Sequence, residues 1–525
     1  MTVDTRANEA IAPTRVPLSS ALLGANALLF LLAFVKFAIH MLVSDNYGYF
    51  RDELYYMAAG RHLAFGYVDF PPFIAVLARL VHLTLGDSLI ALHLLPAIAG
   101  ALVVWLTGLT ARELGGGRFA QCLAALASLV AVAYLGIDSI FSMDPFDELW
   151  WTLAAYVLIV LIKRRQPRLW LLFGLICGIG LTTKVTMLFF GFAVVVGLLL
   201  TSKRALLGTR WAWLGGAIAV ALFAPYALWN LANGFPTVEF WSHYGGKLVD
   251  ISPVTFLAQQ ILGMNPVTLP LWLGGLYFFF FTKEGAELRN LGWTWVVLYV
   301  MFTISGAKFY FLAPAYPMLL AAGAVAFDRA WRRQDWSWMR PAYLGILLLG
   351  GVALAPAALP LLPPATFGQV YGFLGGDAGV QDERHQAAVL PQWLADRFGW
   401  DTMVTQVARV YDNLPAKDRA EACIFTDNYG EAGAIDFFGP PDGLPGAISG
   451  HNNYFLWGPG RCTGQVVISV GVSRSDLELS FGDITAVGET ACQNCMPDEN
   501  QAPLFVSRQP KQRIGGLWPN VKHFN

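Results

Sequence analysis

Charge is what this chain has least of. Asp, Glu, Lys and Arg make up 14% of its 525 residues, where a soluble domain carries about 25%. That shortage excludes an ordinary cytosolic enzyme and a disordered or fibrous chain. The charges present nearly cancel, at a net −1, which argues against nucleic acid as a partner. Internal repeats and low-complexity tracts are also missing, so the chain is not a repeat array. What is present is apolar. Hydrophobic residues reach 56% before 52 glycines are added, against about 45–50% for a soluble domain with glycine included. Eighteen Trp and 36 Phe suit extensive lipid-facing and membrane-interface surface.

The charge is also unevenly placed. Eleven stretches contain no Asp, Glu, Lys or Arg: 18–35, 88–110, 119–137, 149–162, 169–183, 185–202, 211–238, 251–282, 291–307, 309–327 and 341–376. A membrane-spanning helix needs about 17–25 apolar residues, so the expected fold is an α-helical polytopic membrane protein with about eleven transmembrane helices. The first stretch follows a polar leader with Arg6 and Arg15 and shows no small-residue cleavage site, so it reads as an anchor. Basic residues recur in alternate loops, around Arg112–Arg118, Lys163–Arg168, Lys203–Arg210, Lys283–Arg289 and Arg329–Arg340. Placing these loops and the N-terminus in the cytoplasm satisfies the positive-inside rule. It requires Pro72–Gly86 not to cross, and that stretch reads as an interfacial helix on the outer surface. The C-terminus then lies outside.

After about Leu362 the composition becomes that of a soluble domain, expected to be exported and mixed α/β. Helices are expected over Gln381–Arg397 and Glu431–Phe438. Strands are expected over Ala422–Thr426, Asn453–Trp457, Gln465–Val470 and Ile484–Val487. Cys122 and Cys177 fall in spans and read as small apolar residues. Cys423, Cys462, Cys492 and Cys495 lie in the exported part, where structural disulfides are the expected state. Cys492-Gln-Asn-Cys495 also fits a redox motif or half a zinc site.

Polar residues concentrate in two outer loops. The first holds Arg51, Asp52, Glu53, Tyr55, Arg61, Tyr67 and Asp69, and its Leu54–Met57 stretch reads as a helix at the interface. The second holds Asp138, Asp144, Asp147 and Glu148. Carboxylates at span ends are candidates for function. Asp138 and Asp147 read as solvated loop charges. Lys184 and Lys308 interrupt apolar segments near the same face, where each either snorkels to the interface or meets an anionic headgroup. Lys36 reads as a snorkelling lysine. Carboxylates and separate cations at one membrane level suit a substrate that is a phosphate with a lipid tail.

Five motifs, in order, carry a resemblance. The run Tyr49-Phe50-Arg51-Asp52-Glu53-Leu54-Tyr55-Tyr56 with Gly66-Tyr67-Val68-Asp69-Phe70-Pro71-Pro72 resembles the first outer loop of the C-type (GT-C) membrane glycosyltransferases. The protein mannosyltransferase and aminoarabinose transferase branch is the nearest in pattern. Leu95-Pro96-Ala97 to Gly100-Ala101-Leu102, Ser142-Met143-Asp144-Pro145, Gly180-Leu181-Thr182-Thr183-Lys184 and Lys308 to Pro317 resemble its later motifs. The resemblance covers roughly residues 20–330. Asp427-Asn428-Tyr429-Gly430-Glu431-Ala432-Gly433-Ala434-Ile435-Asp436 is similar to the tail of bacterial members and says little about chemistry.

The resemblance implies transfer of one sugar from a polyprenyl-phosphate carrier to an envelope lipid, glycan or protein, with inversion and without a required metal or other cofactor. It implies Asp52 as general base, with Glu53 and Asp144 as acidic partners. Lys184, Lys308, Arg51 and Arg61 are the implied ligands of the donor phosphate. Tyr55, Asp69, His93 and Tyr310 are further implied substrate contacts. Phe70 and His93 depart from the pattern, which has His or Lys at the first position and often Arg at the second; both positions are expected near the donor phosphate. The expected organisation is a cytoplasmic leader over 1–20, a membrane domain over 21–362 with catalytic loops at 44–88 and 137–148, and an extracytoplasmic domain over 363–525. A transporter or flippase for an anionic or lipid-linked substrate is the alternative, and it predicts inverted repeats and mid-membrane charges.

Overall fold

The computed structural model describes residues 18–245, 251–373 and 388–525. Each charge-free stretch holds apolar helix, because a backbone without water must satisfy its own hydrogen bonds. The order is α1 (Leu18–Leu42), α2 (Arg51–Arg61), α3 (Phe73–Thr84), α4 (Leu89–Glu113), α5 (Arg118–Leu129), α6 (Val132–Ile137), α7 (Asp144–Arg164), α8 (Leu169–Thr183) and α9 (Thr186–Leu199). Then follow α10 (Arg210–Ala232), α11 (Pro236–Tyr244), α12 (Pro253–Gly263), α13 (Leu269–Phe281), α14 (Arg289–Ile304), α15 (Tyr316–Arg333), α16 (Met339–Ala358) and α17 (Pro364–Phe373). By length and composition five helices can cross a membrane among the described residues, or six if the pair α12 and α13, bent by 96°, counts as one. Shorter apolar helices fill the other stretches. The chain is therefore an integral, multi-pass membrane protein.

Helix α7 gives the bundle its direction. It begins at Asp144 and ends at Arg164, about 30 Å away at 1.5 Å per residue. At its Arg164 end the basic loops meet one another: Arg164 pairs with Glu113 at 2.8 Å, Lys203 with Glu287 at 3.7 Å, and Arg329 with Glu284 at 3.4 Å. At its Asp144 end lie α2, α3 and the C-terminal domain. Helix α3 spans 12 residues and turns Val76, Leu80 and Leu83 outward, the apolar face of a helix lying along an interface.

Three charges sit differently from the sequence reading. Asp138 is not solvated: it is 1% exposed and 2.8 Å from Lys36. Lys36 does not snorkel; it too is 1% exposed, and its Nζ donates to the Tyr134 carbonyl at 2.9 Å. Asp147 is buried and accepts from Thr186 Oγ1 at 2.7 Å. Burying a charge demands a partner, and the sequence does not show that residues 100 positions apart in the chain supply one.

The C-terminal domain contains α18 (Gln392–Ala395), α19 (Trp400–Asp412), α20 (Ala416–Glu421), β1 (Ala422–Thr426), α21 (Tyr429–Phe438), β2 (Ala447–Ser449), α22 (Asn452–Trp457), β3 (Val466–Val470), α23 (Arg474–Ser480), β4 (Phe481–Glu489), β5 (Pro503–Pro510) and α24 (Ile514–Leu517). The sheet order is β2-β1-β3-β5-β4. The first three strands are parallel, with Ile424 opposite Ala447 and Ile468; β5 runs antiparallel to β3 and β4. Strands are found where expected at 422–426, 466–470 and within 481–489. Asn453–Trp457 is helix α22 rather than a strand, an ambiguity inherent in a short apolar run. Of the helix expected over Gln381–Arg397, residues 381–387 lie outside the described residues. The remainder forms one turn, and the longer helix starts only after Gly399, whose φ of 93° breaks the chain direction. The cysteines pair as Cys423–Cys462 and Cys492–Cys495.

Helix α2 is not at the lipid interface. Glu53 to Gly60 are all buried, because α21 covers the helix. Two glycines one turn apart permit the close approach: Gly430 lies against the Arg51 side chain and Gly433 against the Leu54 backbone. A Cβ at position 433 would sit 2.9 Å from the Leu54 carbonyl carbon. Gly433→Val should therefore cost about 1–3 kcal/mol by overpacking and loosen the C-terminal domain from the bundle. Limited proteolysis of the purified protein should cut the segment 388–399 faster in the variant; an unchanged cleavage rate would contradict this docking.

Candidate active site

Glu53 organises the end of the bundle where α7 begins. At the third position of α2, it reaches back to the chain entering that helix, and its Oε2 accepts from the Phe50 N–H at 2.8 Å. Its Oε1 accepts from the Phe141 N–H at 2.7 Å and lies 2.7 Å from His93 Nε2. The carboxylate is thus tied to α2, to α4 and to the loop leading into α7. Burial pushes its pKa up, but the facing His93 and then Arg397 outweigh that and hold it below the usual range. Arg397 braces the same loop, donating to the Ser139 carbonyl at 3.2 Å and hydroxyl at 2.9 Å.

Two carboxylates near this staple keep partial access to solvent. Asp52 is 29% exposed and Asp144 22%. Asp52 Oδ1 accepts from the Tyr429 hydroxyl at 2.8 Å, and Arg51 Nε stands 3.6 Å away. Asp144 opens α7, where the helix dipole favours a negative charge, and it pairs with Lys184. Lys184 caps α8 in an extended conformation (φ −152°, ψ 138°), at the break before α9. Its ammonium lies 4.2 Å from the centre of the Phe311 ring and 5.5 Å from that of Tyr310. Lys308 reaches the same Tyr310 ring at 5.8 Å and that of Tyr244 at 5.5 Å. Two lysines from separate segments therefore flank one aromatic ring, with Asp144 beside one of them.

A third carboxylate is half-buried. Asp69 accepts from the Tyr55 hydroxyl at 3.0 Å and from the Asn452 and Asn453 amides at 3.3 Å. Burial pushes its pKa up to about 7. All three acids act on one phenol. The Tyr56 phenol is pushed well above its ordinary value, first by burial and then by Asp52, Asp69 and Asp144.

The remaining sequence candidates fall elsewhere. Glu53 and His93 face each other in the interior, at 0% and 2% exposure, so neither presents itself to a substrate. Phe70 is buried among the rings of Tyr55, Tyr56 and Tyr67. Arg61 donates to the Asp436 carbonyl at 3.0 Å and joins the bundle to the C-terminal domain. Arg51 stacks on Tyr429, 5.4 Å from its ring centre. The sequence reading missed Tyr429, Asn452, Asn453 and Arg397. The Asp427–Asp436 motif carries a signal for the first of them, in a Tyr that directly follows a helix cap. Among the described residues no three His, Cys, Asp or Glu side chains gather to hold a metal ion.

The helical architecture defines the fold: the chain has the membrane fold of the C-type glycosyltransferases. It superposes on ArnT from Cupriavidus metallidurans with a TM-score of 0.60 in the apo state and 0.57 in the structure with undecaprenyl phosphate, at 15% identity. Each superposition covers 93% of this chain and 98% of that one. Residues 69–229 match the family described as dolichyl-phosphate-mannose-protein mannosyltransferase. An undecaprenyl phosphate-alpha-4-amino-4-deoxy-L-arabinose arabinosyl transferase from Pseudomonas fluorescens is 30% identical over 30% of this chain and 28% of its own length. One from Pectobacterium atrosepticum is 27% identical over 51% of this chain and 50% of its own. The chain thus spans half or less of the length of these curated relatives. The resemblance read from the five motifs is borne out at the level of fold.

Two variants test the electrostatics. In Glu53→Gln the amide nitrogen must replace an oxygen that accepts a bond, leaving a buried N–H unsatisfied at about 1–3 kcal/mol. Thermal unfolding in detergent should show the loss, and turnover should fall although Asp52 and Asp144 are intact. A wild-type melting temperature would contradict the staple. For Asp69 the sign is opposite to that of a salt-bridged acid. Between its unfolded value near 4 and about 7, the folded chain keeps a proton that the unfolded chain releases. Stability should fall as pH rises through that window and be level above it. Asp69→Asn should flatten the decline; parallel wild-type and variant curves would contradict it.

Proposed function

We propose that this chain transfers a single sugar from a polyprenyl-phosphate donor to an envelope acceptor, by direct displacement with inversion. The observation that carries the reading is the pairing of a partly exposed Asp144 with Lys184, which shares the Tyr310 ring with Lys308, at the end of the bundle that also carries the partly exposed Asp52. The acceptor hydroxyl or amine attacks the anomeric carbon and gives its proton to Asp52. The bond to the phosphate oxygen breaks, and the lipid phosphate leaves with the electron pair. Lys184 and Lys308 stabilise the charge it gains. Asp144 orients Lys184 and faces the positive charge that builds on the sugar. A lipid monophosphate leaves readily enough that no metal or cofactor is required. The names of the curated relatives support a 4-amino-4-deoxy-arabinosyl donor, and the acceptor is a lipid, glycan or protein of the envelope. Nothing in the fold or the comparisons favours the transporter reading.

The topology proposed with this chemistry has eleven crossings, with the N-terminus and basic loops in the cytoplasm. The acidic loops and C-terminal domain then face outward, in the periplasm or its equivalent. The meeting of the basic loops at the far end of α7 supports it.

Asp52→Asn preserves size and most hydrogen bonding but removes basicity. Turnover should fall by roughly 10²–10⁴ with little change in donor KM. Lys184→Ala should raise donor KM as well as lower turnover, because it meets the phosphate in both ground and transition states. The assay is sugar transfer from undecaprenyl-phosphate aminoarabinose by the purified full-length protein. Full turnover in Asp52→Asn would remove the base assignment, full turnover in both variants would remove the site assignment, and absence of transfer by the wild-type protein would remove the enzyme reading.

A further inference from the structure

We propose that Tyr429 is a positioning residue for Asp52, so that the C-terminal domain completes the active site. The inference rests on the glycosyltransferase reading above and adds a part to it. The Tyr429 hydroxyl donates to Asp52 Oδ1 at 2.8 Å across 377 positions of sequence. That bond fixes the rotation of the carboxylate and leaves Oδ2 to take the acceptor proton. A base that must meet a hydroxyl at hydrogen-bond distance gains most from such restraint.

The tyrosine is itself tightly held. Its ring stacks on Tyr55 at 4.4 Å and 21°, with the Arg51 guanidinium 5.4 Å from its centre. Its backbone N–H faces His451 Nδ1 at 3.3 Å. It is the first residue of α21, and the turn is locked by a reciprocal cap. Asn428 Oδ1 accepts from Gly430 N at 2.8 Å and Glu431 N at 3.0 Å, while Glu431 Oε2 accepts from Asn428 N at 3.1 Å. Gly430 and Gly433 then let α21 lie against α2, the helix that carries Asp52. Each conspicuous residue from Asn428 to Gly433 thus acts to deliver one phenol. Burial, and then the neighbouring Asp52 and Asp69 against the pull of Arg51, hold the Tyr429 phenol well above its ordinary pKa, so it remains a donor at neutral pH.

The test uses the full-length protein and the donor assay above, with Tyr429→Phe, Asp52→Asn and the double variant. Tyr429→Phe keeps the ring between Tyr55 and Arg51 and loses only the hydroxyl. We expect kcat to fall about tenfold, as for loss of a charge-assisted hydrogen bond, with donor KM within about twofold and the melting temperature nearly unchanged. In the Asp52→Asn background the same change should cost little, because the group it positions no longer acts as a base. Wild-type kcat in Tyr429→Phe, with Asp52→Asn inactive, would overturn this inference and leave the glycosyltransferase reading standing. A fully active Asp52→Asn would overturn the base assignment and this inference with it, whereas absence of sugar transfer by the wild-type protein would overturn the reading itself. If Tyr429→Phe lowers the melting temperature, the double variant decides: a further tenfold loss on top of Asp52→Asn marks a structural role and overturns the proposal, whereas no further loss supports it.

Discussion

A single buried carboxylate sets the geometry on which everything else depends. Glu53 accepts hydrogen bonds from the start of α2 and from the loop that leads into α7, and it lies against His93 of α4. Asp52 is its immediate neighbour in sequence, and Asp144 follows Phe141 by three residues. Fixing Glu53 therefore fixes the two solvent-reaching acids relative to each other. A charge buried this deeply is tolerated only when its acceptor capacity is used, and here three donors converge on two oxygens. The acid next to the candidate base thus serves as its mount.

The second requirement is a pair of cations at the same level without a mobile loop to carry them. Breaks in helices meet it. Lys184 sits in the extended residue between α8 and α9, and Lys308 precedes a tight helical turn that leads into α15. Both side chains lie against the Tyr310 ring, whose face attracts an ammonium. The C-terminal domain closes the same end from the other side, through Tyr429 on Asp52 and Asn452 and Asn453 on Asp69.

Much of the membrane part was legible in the sequence, because apolar length and the absence of charge are one-dimensional signals. Every charge-free stretch holds helix, and the motif residues Asp52, Asp144, Lys184 and Lys308 gather at one end. What the sequence could not show is pairing across long separations. Lys36 and Asp138 look like separate surface charges until the fold makes them partners. Glu53 looks like a second catalytic acid until three donors surround it. Arg61 donates to the Asp436 carbonyl of α21, a contact that its place in the sequence does not reveal. In the C-terminal domain β1 and β3 follow from their apolar runs, whereas α22 was read as a strand because six residues are too few to reveal a period. The Asp427–Asp436 motif was visible but mute, since its meaning lies in what α21 touches.

The proposed chemistry requires that the donor's phosphate be held by Lys184 and Lys308, at the end of the bundle that carries Asp52 and Asp144. A structure of the full-length protein with a polyprenyl monophosphate bound tests it most directly. The phosphorus is expected within ion-pair reach of both ammonium groups, with Asp144 released from or sharing Lys184, and the lipid tail running down the outside of the bundle. A phosphate held instead at Arg61, or among the basic loops at the Arg164 end of α7, would contradict it.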